Sequence, residues 1–429
     1  MSFRTKFILT LLSATLTLYT AVGGWISTRA QQPANDPNAQ LRIFESVLQH
    51  IQNDYVDEPN MEKVRAGALR GLAYGLDPYS TYLTPDQVKE YNSGNKDSAG
   101  IGAELSQVAS YLYVIAPMKG SPADQAGIKA GDIIEYIDNK ATRDISLYDA
   151  KQLLNGPAGT EVKLRVLRAN SSPLTVTVKR GSARAAVAEA RMEAGRVGVL
   201  RINSLADGEA NDIRARLQDL MKQGAQKIVL DVRGTAGGSL TEAVAVANLF
   251  IKDGVLAQTI GKEGKALKTF TADPKGAIFS GPVVALIDTG TAGAAEIIAS
   301  ALSERNRGQV VGEKSFGAGT EQQLFTLRGG DGLLLTTVKW ASSNGKTFLG
   351  EDRAHSGVAP NVEVKGQEVT DAVDPDDLTG NDDDAIKQPE QGNDKRDVTP
   401  APATKPAVDD IQLKKALELL KDKPAQRAA

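Results

Sequence analysis

The chain has 429 residues, more than one ordinary domain, and with 41% apolar and 24% charged residues most of it can bury a core. Lys+Arg 50 against Asp+Glu 53 gives a net charge of −3, which excludes a generally basic nucleic-acid binder. The absence of cysteine excludes disulfides, thiolate nucleophiles and cysteine-based metal sites. Two histidines, His50 and His355, leave almost no imidazole for a metal or a Ser-His-Asp triad, so no metal and no cofactor are expected.

Arg4 and Lys6 precede an apolar run from Phe7 to Ile26, the pattern of an export signal over residues 1–30. Ala21-Val22-Gly23 and Thr28-Arg29-Ala30 both offer small residues for cleavage, and the run is long enough to serve instead as an uncleaved anchor. The expected location is the periplasm or the outer face of the cytoplasmic membrane, with membrane contact only through this segment. Residues 38–95 read as an N-terminal helical cap. Ile43, Phe44, Val47, Leu48 and Ile51 recur at helical spacing, a second helix runs from Met61 towards Gly75, and a third starts at Pro85. Between them Leu76-Asp77-Pro78-Tyr79-Ser80 reads as a turn.

Residues 96–182 read as a compact β-rich unit, with strands at Tyr111–Ile115, Ile133–Ile137, Val162–Leu167 and Leu174–Val178 and helices at Pro122–Ala126 and Leu147–Leu154. The segment from Gly120-Ser121-Pro122 through Gly127-Ile128-Lys129-Ala130-Gly131-Asp132 resembles the central signature of PDZ domains, and Gly100-Ile101-Gly102-Ala103 resembles their carboxylate-binding loop. Successive backbone N–H groups in such a turn can cradle an anion, and the next strand offers its edge to an extended peptide. The resemblance implies a peptide carboxylate against Gly100, Ile101 and Gly102, pairing beside Ala103–Leu105, and a terminal side chain in an apolar pocket formed partly by the helix containing Leu147, Ala150 and Leu154.

From residue 183 to 365 strands alternate with helices, as in an α/β layered core: strands at Val197–Ile202, Lys227–Val232 and Pro282–Ile287, helices at Asp207–Gln223, Leu240–Phe250 and Ala294–Arg305. Between Gly366 and Asp397 eleven acids face three bases, so residues 366–408 read as an acidic disordered linker, a solvated tether without the spacing of a calcium loop. Residues 409–423 then read as an amphipathic helix. The fold class is multidomain, α/β and β: helical cap, PDZ domain and α/β peptidase-like core.

Four segments resemble the C-terminal processing peptidases, or tail-specific proteases. Leu76-Asp77-Pro78-Tyr79-Ser80-Thr81-Tyr82-Leu83 matches the cap motif and Leu230-Asp231-Val232-Arg233-Gly234-Thr235-Ala236-Gly237-Gly238 the Gly-Gly turn. Gly290-Thr291-Ala292-Gly293-Ala294-Ala295-Glu296 aligns with the nucleophile helix, Ser315-Phe316-Gly317-Ala318-Gly319 with the turn carrying the base, and Gln322 with a further site glutamine. The resemblance implies a serine nucleophile activated by a buried, partly neutral lysine. It also implies an oxyanion held by backbone N–H groups at Gly237, Gly238 and Ala294.

The family's serine and lysine stand twenty-five residues apart, as do Gly293 and Ala318 here. Gly293 thus occupies the nucleophile position and Ala318 the base position, and neither has a side chain able to do the work. Asp288, Ala295 and Thr235-Ala236 also depart from the family pattern. Removing both members of such a unit costs on the order of 10⁴–10⁶ in rate. The reading is an exported pseudoprotease that binds protein C-terminal peptides or regulates an active relative, alone or as a homo-oligomer. The alternative is an active endopeptidase with a relocated nucleophile, for which Thr291, Ser300, Ser303, Lys314 and Ser315 lie nearby in sequence; Lys314 and Ser315 read as a solvated strand end. Gln322 and Arg233 are expected to serve as structural hydrogen-bond donors.

Overall fold

The structure, a computed structural model, describes residues 37–94, 99–143, 145–169, 171–182, 186–366 and 409–421. The expected export signal and acidic linker lie outside these residues. The chain divides into two compact units, Met1–Ala68 and Leu69–Ala429. In the first, helix α1 (Pro37–Asp54) carries Leu41, Ile43, Phe44, Val47 and Leu48 at exposed positions. Helix α2 (Met61–Tyr74) crosses into the second unit.

The second unit starts with a segment that is only partly helical. Asp77 accepts from the backbone N–H groups of Tyr79 and Ser80 and from the Ser80 hydroxyl, which closes the expected turn. The chain then forms a short strand, β1 (Thr81–Leu83), before helix α3 (Pro85–Ser93). Thr84 and Gln87 make a reciprocal capping box at the start of α3, and the Gln87 amide nitrogen also donates to Asp149 at 2.6 Å.

The PDZ unit is an antiparallel sheet of order β2 (Ala103–Val108), β3 (Tyr111–Pro117), β4 (Ile133–Ile137), β6 (Glu161–Leu167) and β7 (Leu174–Lys179), with β5 (Lys140–Ala141) beside β4. Helices α4 (Pro122–Gln125) and α5 (Leu147–Leu154) cover it, each capped by a serine, Ser121 and Ser146. The Gly127–Asp132 turn of the signature is anchored by Arg168, whose guanidinium grips the buried Asp132 at 2.7 and 2.8 Å.

The core sheet runs β17 (Val362–Glu363), β14 (Gly308–Gly312), β13 (Val283–Ile287), β10 (Lys227–Asp231), β9 (Val197–Arg201) and β8 (Glu189–Glu193), parallel except at β8. Its central strands β9, β10 and β13 read as continuous apolar runs because both faces are buried. Ile228, Leu230, Ala285 and Ile287 face α6 (Glu209–Lys222), α7 (Leu240–Asn248) and α8 (Ala294–Glu304). Val229, Val284 and Leu286 pack against Ala416 and Leu420 of α9 (Ile411–Lys421). A second sheet, β1, β16 (Gly332–Ala341), β11 (Val255–Ile260) and β12 (Ala266–Thr271), with β15 (Thr320–Thr326) on β16, completes the unit. Here β1 pairs antiparallel with β16, Thr81 opposite Leu334, so the cap motif is stitched directly into the core.

Candidate functional site

The site forms at the carboxyl ends of β10 and β13, where parallel α/β sheets place their ligands. β10 runs into the Gly-rich turn at 232–238, and β13 into the turn at 288–293 that starts α8. Asp288 ties the two together, its Oδ1 accepting from the N–H groups of Gly234 at 2.8 Å and Gly290 at 3.1 Å and from the Thr291 hydroxyl at 3.0 Å. Burial pushes the Asp288 carboxyl above the usual carboxylate range, against these donors.

Gly293 has φ 61° and ψ −114°, the sharp strand-to-helix turn that projects a nucleophile. A Cβ there would stand 3.7 Å from the Gly237 nitrogen, in ordinary contact with the Gly-Gly turn, so the space for a side chain persists. Gly238 admits no substituent: its Cβ would lie 2.7 Å from the Leu205 carbonyl oxygen. Ala294 begins α8, and its N–H donates to the Gly237 carbonyl at 3.4 Å.

Glu296 organises the site, a role the sequence reading did not give it. Fully buried, it accepts at Oε2 from the N–H groups of Gly293 (2.7 Å) and Ala318 (2.8 Å), and at Oε1 from the Gly317 N–H (2.9 Å) and the Ser315 hydroxyl (2.5 Å). One oxygen therefore holds the backbone of positions 293 and 318 together, although twenty-five residues separate them. Ser315 is thus not a solvated strand end but fully buried, because the carboxylate needs its proton and the Val358 N–H needs its oxygen. Lys314 is likewise engaged, donating to the Arg353 carbonyl at 2.8 Å.

Burial raises the Glu296 carboxyl from 4.5 to about 7, against four donors that hold it down. A carboxyl raised in this way binds more protons folded than unfolded. The stability it adds is complete below its unfolded pKa and is lost as pH rises through about 7. Between pH 5 and 8 the protein should lose up to about 3 kcal/mol of unfolding free energy from this group. Glu296→Gln should be less stable throughout but flat over that range; a wild-type curve parallel to the variant's would refute the assignment.

Ala318 is buried in an apolar cluster with Phe316, Ala292 and, from the PDZ sheet, Val108, Tyr113, Ile115 and Ile133. The Tyr113 and Phe316 rings stack at 5.7 Å. Tyr79 of the cap motif packs against the PDZ core, and its hydroxyl bonds to Ser106; burial holds its pKa above the ordinary phenol value. Gln322 lies on β15 and donates to Thr320 and Thr336, the latter in turn bonded to Asp77. Arg233 points from the Gly-rich turn to the opposite side, to Asp231 and Asp410.

The hydroxyls of Thr291, Ser300 and Ser303 are committed. Thr291 donates to Val232 O and Asp288, Ser300 to Ile297 O, and Ser303 exchanges bonds with Asn361. His50 and His355 are exposed and bonded to Asp54 and Asp352.

In the PDZ unit β2 is the edge strand. The Gly100 N–H is already spent on the Gly181 carbonyl (3.3 Å), because residue 100 forms a bridge with the chain after β7. The expected trio of carboxylate donors is therefore reduced in this state to Ile101 and Gly102, whose N–H groups have no backbone acceptor among the described residues. Leu105, Leu147, Ala150 and Leu154 come together as expected, but packed on one another in the PDZ core instead of around an open pocket. Lys151 of α5 bridges to Glu104 of β2 at 3.5 Å, across the groove between them, and Ala103 is partly buried.

A strained-turn helix start beside a Gly-Gly turn, on a parallel sheet with a PDZ domain, defines a serine-peptidase fold of the C-terminal processing type. Residues 196–364 match peptidase family S41 and residues 113–168 match the PDZ domain. The chain is 30% identical over 360 residues to the carboxy-terminal processing protease CtpA of Bacillus subtilis (strain 168), covering 83% of this chain and 76% of that protein. It is 34% identical over 330 residues to a probable CtpA-like serine protease of Staphylococcus aureus (strain MRSA252), covering 76% and 65%. Among solved structures, the photosystem II D1 C-terminal processing protease superposes with TM-score 0.62 at 26% identity, over 75% of this chain and 86% of that one. The chain belongs to the C-terminal processing peptidase family, a family of serine-type hydrolases.

Proposed function

We propose that this chain is an exported, non-catalytic member of its family that binds the C-termini of other proteins or regulates an active relative in the periplasm or at the outer face of the cytoplasmic membrane. The observation that carries the proposal is the pair Gly293 and Ala318, joined through Glu296 at the elbow where nucleophile and base belong, yet offering no hydroxyl and no amine. The burial of Thr291, Ser300 and Ser315 supports it further, since each hydroxyl is bonded inside the core and faces no space a substrate could enter. The PDZ match and the edge position of β2 support peptide binding by strand addition, with Kd roughly micromolar.

The purified chain should leave an unfolded protein with an apolar C-terminus intact over the buffer background, and should not react with a serine-directed fluorophosphonate. Labelling that vanishes on replacement of one particular Ser or Thr would replace this reading with that of a relocated nucleophile.

A further inference from the structure

We propose that the cleft beyond the far end of β2 is a second peptide subsite, which reads residues upstream of a bound C-terminus. The inference rests on the peptide-binding reading above. The cleft has a volume of about 420 Å³ and is bounded by the end of β2, the cap turn and the chain at 349–356. Leu76, Pro78, Val108, Phe316 and Leu349 give it an apolar lining.

A buried acceptor in its lining, without a partner among the described residues, is a recognition element. Gln107 lines the cleft and is 6% exposed; its amide nitrogen donates to the Ile145 carbonyl at 2.7 Å, while its Oε1 is buried without a partner among the described residues. A buried acceptor left unmatched costs free energy that an incoming N–H recovers.

Strand polarity leads a peptide there. A chain added antiparallel to β2 with its carboxylate at Ile101–Gly102 sets its last residue beside Ala103. The residue two before it then falls beside Leu105 and the fourth before it beside Gln107; β2 ends at Val108, so residues further upstream leave the ladder at the turn of Ala109 and Ser110. Ala109 also lines the cleft, so the upstream part enters an open space while the terminal pocket of Leu105, Leu147, Ala150 and Leu154 is closed. The cleft is already open space, so binding there requires only the covered Gln107 amide to turn towards it, whereas the terminal pocket must open first. The occupant is thus an extended peptide of about seven or more residues, with an apolar side chain five or six positions before its free carboxylate and a donor to Gln107.

The test is titration of the full chain with synthetic peptides sharing the same last four residues. A nine-residue free acid with leucine at the fifth and sixth positions before the end should bind at least about tenfold tighter than the tetrapeptide. Aspartate at those two positions should abolish the gain, a comparison that needs no protein variant. Gln107→Met should reduce the gain, read as the ratio of nonapeptide to tetrapeptide affinity within that variant. Equal affinities for the four- and nine-residue acids would overturn the subsite while leaving C-terminal recognition standing. A nine-residue amide binding as tightly as its acid would overturn carboxylate recognition instead, and absence of binding by either length would overturn both.

Discussion

Gly293→Ser combined with Ala318→Lys should convert the chain into a working peptidase, with hydrolysis of an unfolded protein at least about 100-fold above either single variant. Space for the serine exists: its Cβ would stand 3.7 Å from the Gly237 nitrogen. A side chain at φ 61° and ψ −114° costs about 1–3 kcal/mol, which the surrounding bonds from Glu296 and Gly237 must hold in place. Ala318 lies among Tyr113, Ile115 and Phe316, so a lysine there would be desolvated and its pKa lowered, as a base requires.

The rate of the double variant should rise with pH as that ammonium loses its proton, a profile that separates restored chemistry from a contaminating protease. Fluorophosphonate labelling should appear in the same variant and not in Ala318→Lys alone. An inactive double variant that folds would mean that the PDZ residues over Ala318 deny the lysine its reach to position 293.

Arg233→Ala should destabilise the protein by about 3 kcal/mol or more, the largest effect expected from a single surface-facing turn residue. Its guanidinium spans Asp231 at 2.8 Å and Asp410 at 2.8 and 2.9 Å, with Gln412 at 3.0 Å. Asp231 is buried; burial would raise its pKa, but the Arg233 bond and the Arg201 charge hold it below the ordinary range. Without the Arg233 side chain that carboxylate keeps Arg201, at 2.8 Å, and the backbone N–H of residue 233, at 3.1 Å, and α9 loses its anchor to the Gly-rich turn.

Asp410→Asn should cost far less, because Asp410 is half-exposed and the buried pair survives it. Arg233→Lys should behave like Arg233→Ala, since an ammonium cannot bridge two carboxylates in fork geometry. Urea unfolding measures all three, and protease sensitivity of residues 409–421 reports whether α9 detaches. Equal stability of wild type and Arg233→Ala would show that α9 holds by its apolar face alone.

Local sequence was enough to specify the elements whose partners lie close by. Helix α5 falls on the residues its apolar spacing and Ser146 cap select, and β4, β6 and β10 follow from short apolar runs bounded by turn residues. The Gly-rich turns and the identities of residues 293 and 318 are likewise written in the chain itself, because glycine's freedom and a missing side chain are local properties. The second sheet was not legible. β12 is exposed along most of its length and rests on its pairing with β11, while β16 carries little alternation and pairs with β1, Thr81 opposite Leu334 some 250 residues away.

Glu296 and Ser315 look like ordinary polar residues in sequence, and only the close approach of two turns makes one a buried acceptor for four donors and the other its hydroxyl. The closed PDZ pocket, the spent Gly100 N–H and the reach of Asp410 to Arg233 are decided in the same way. Propensity and pattern act over a few residues, whereas burial of a charge or closure of a groove depends on which distant segments the fold brings together, and that is settled only when the layers pack.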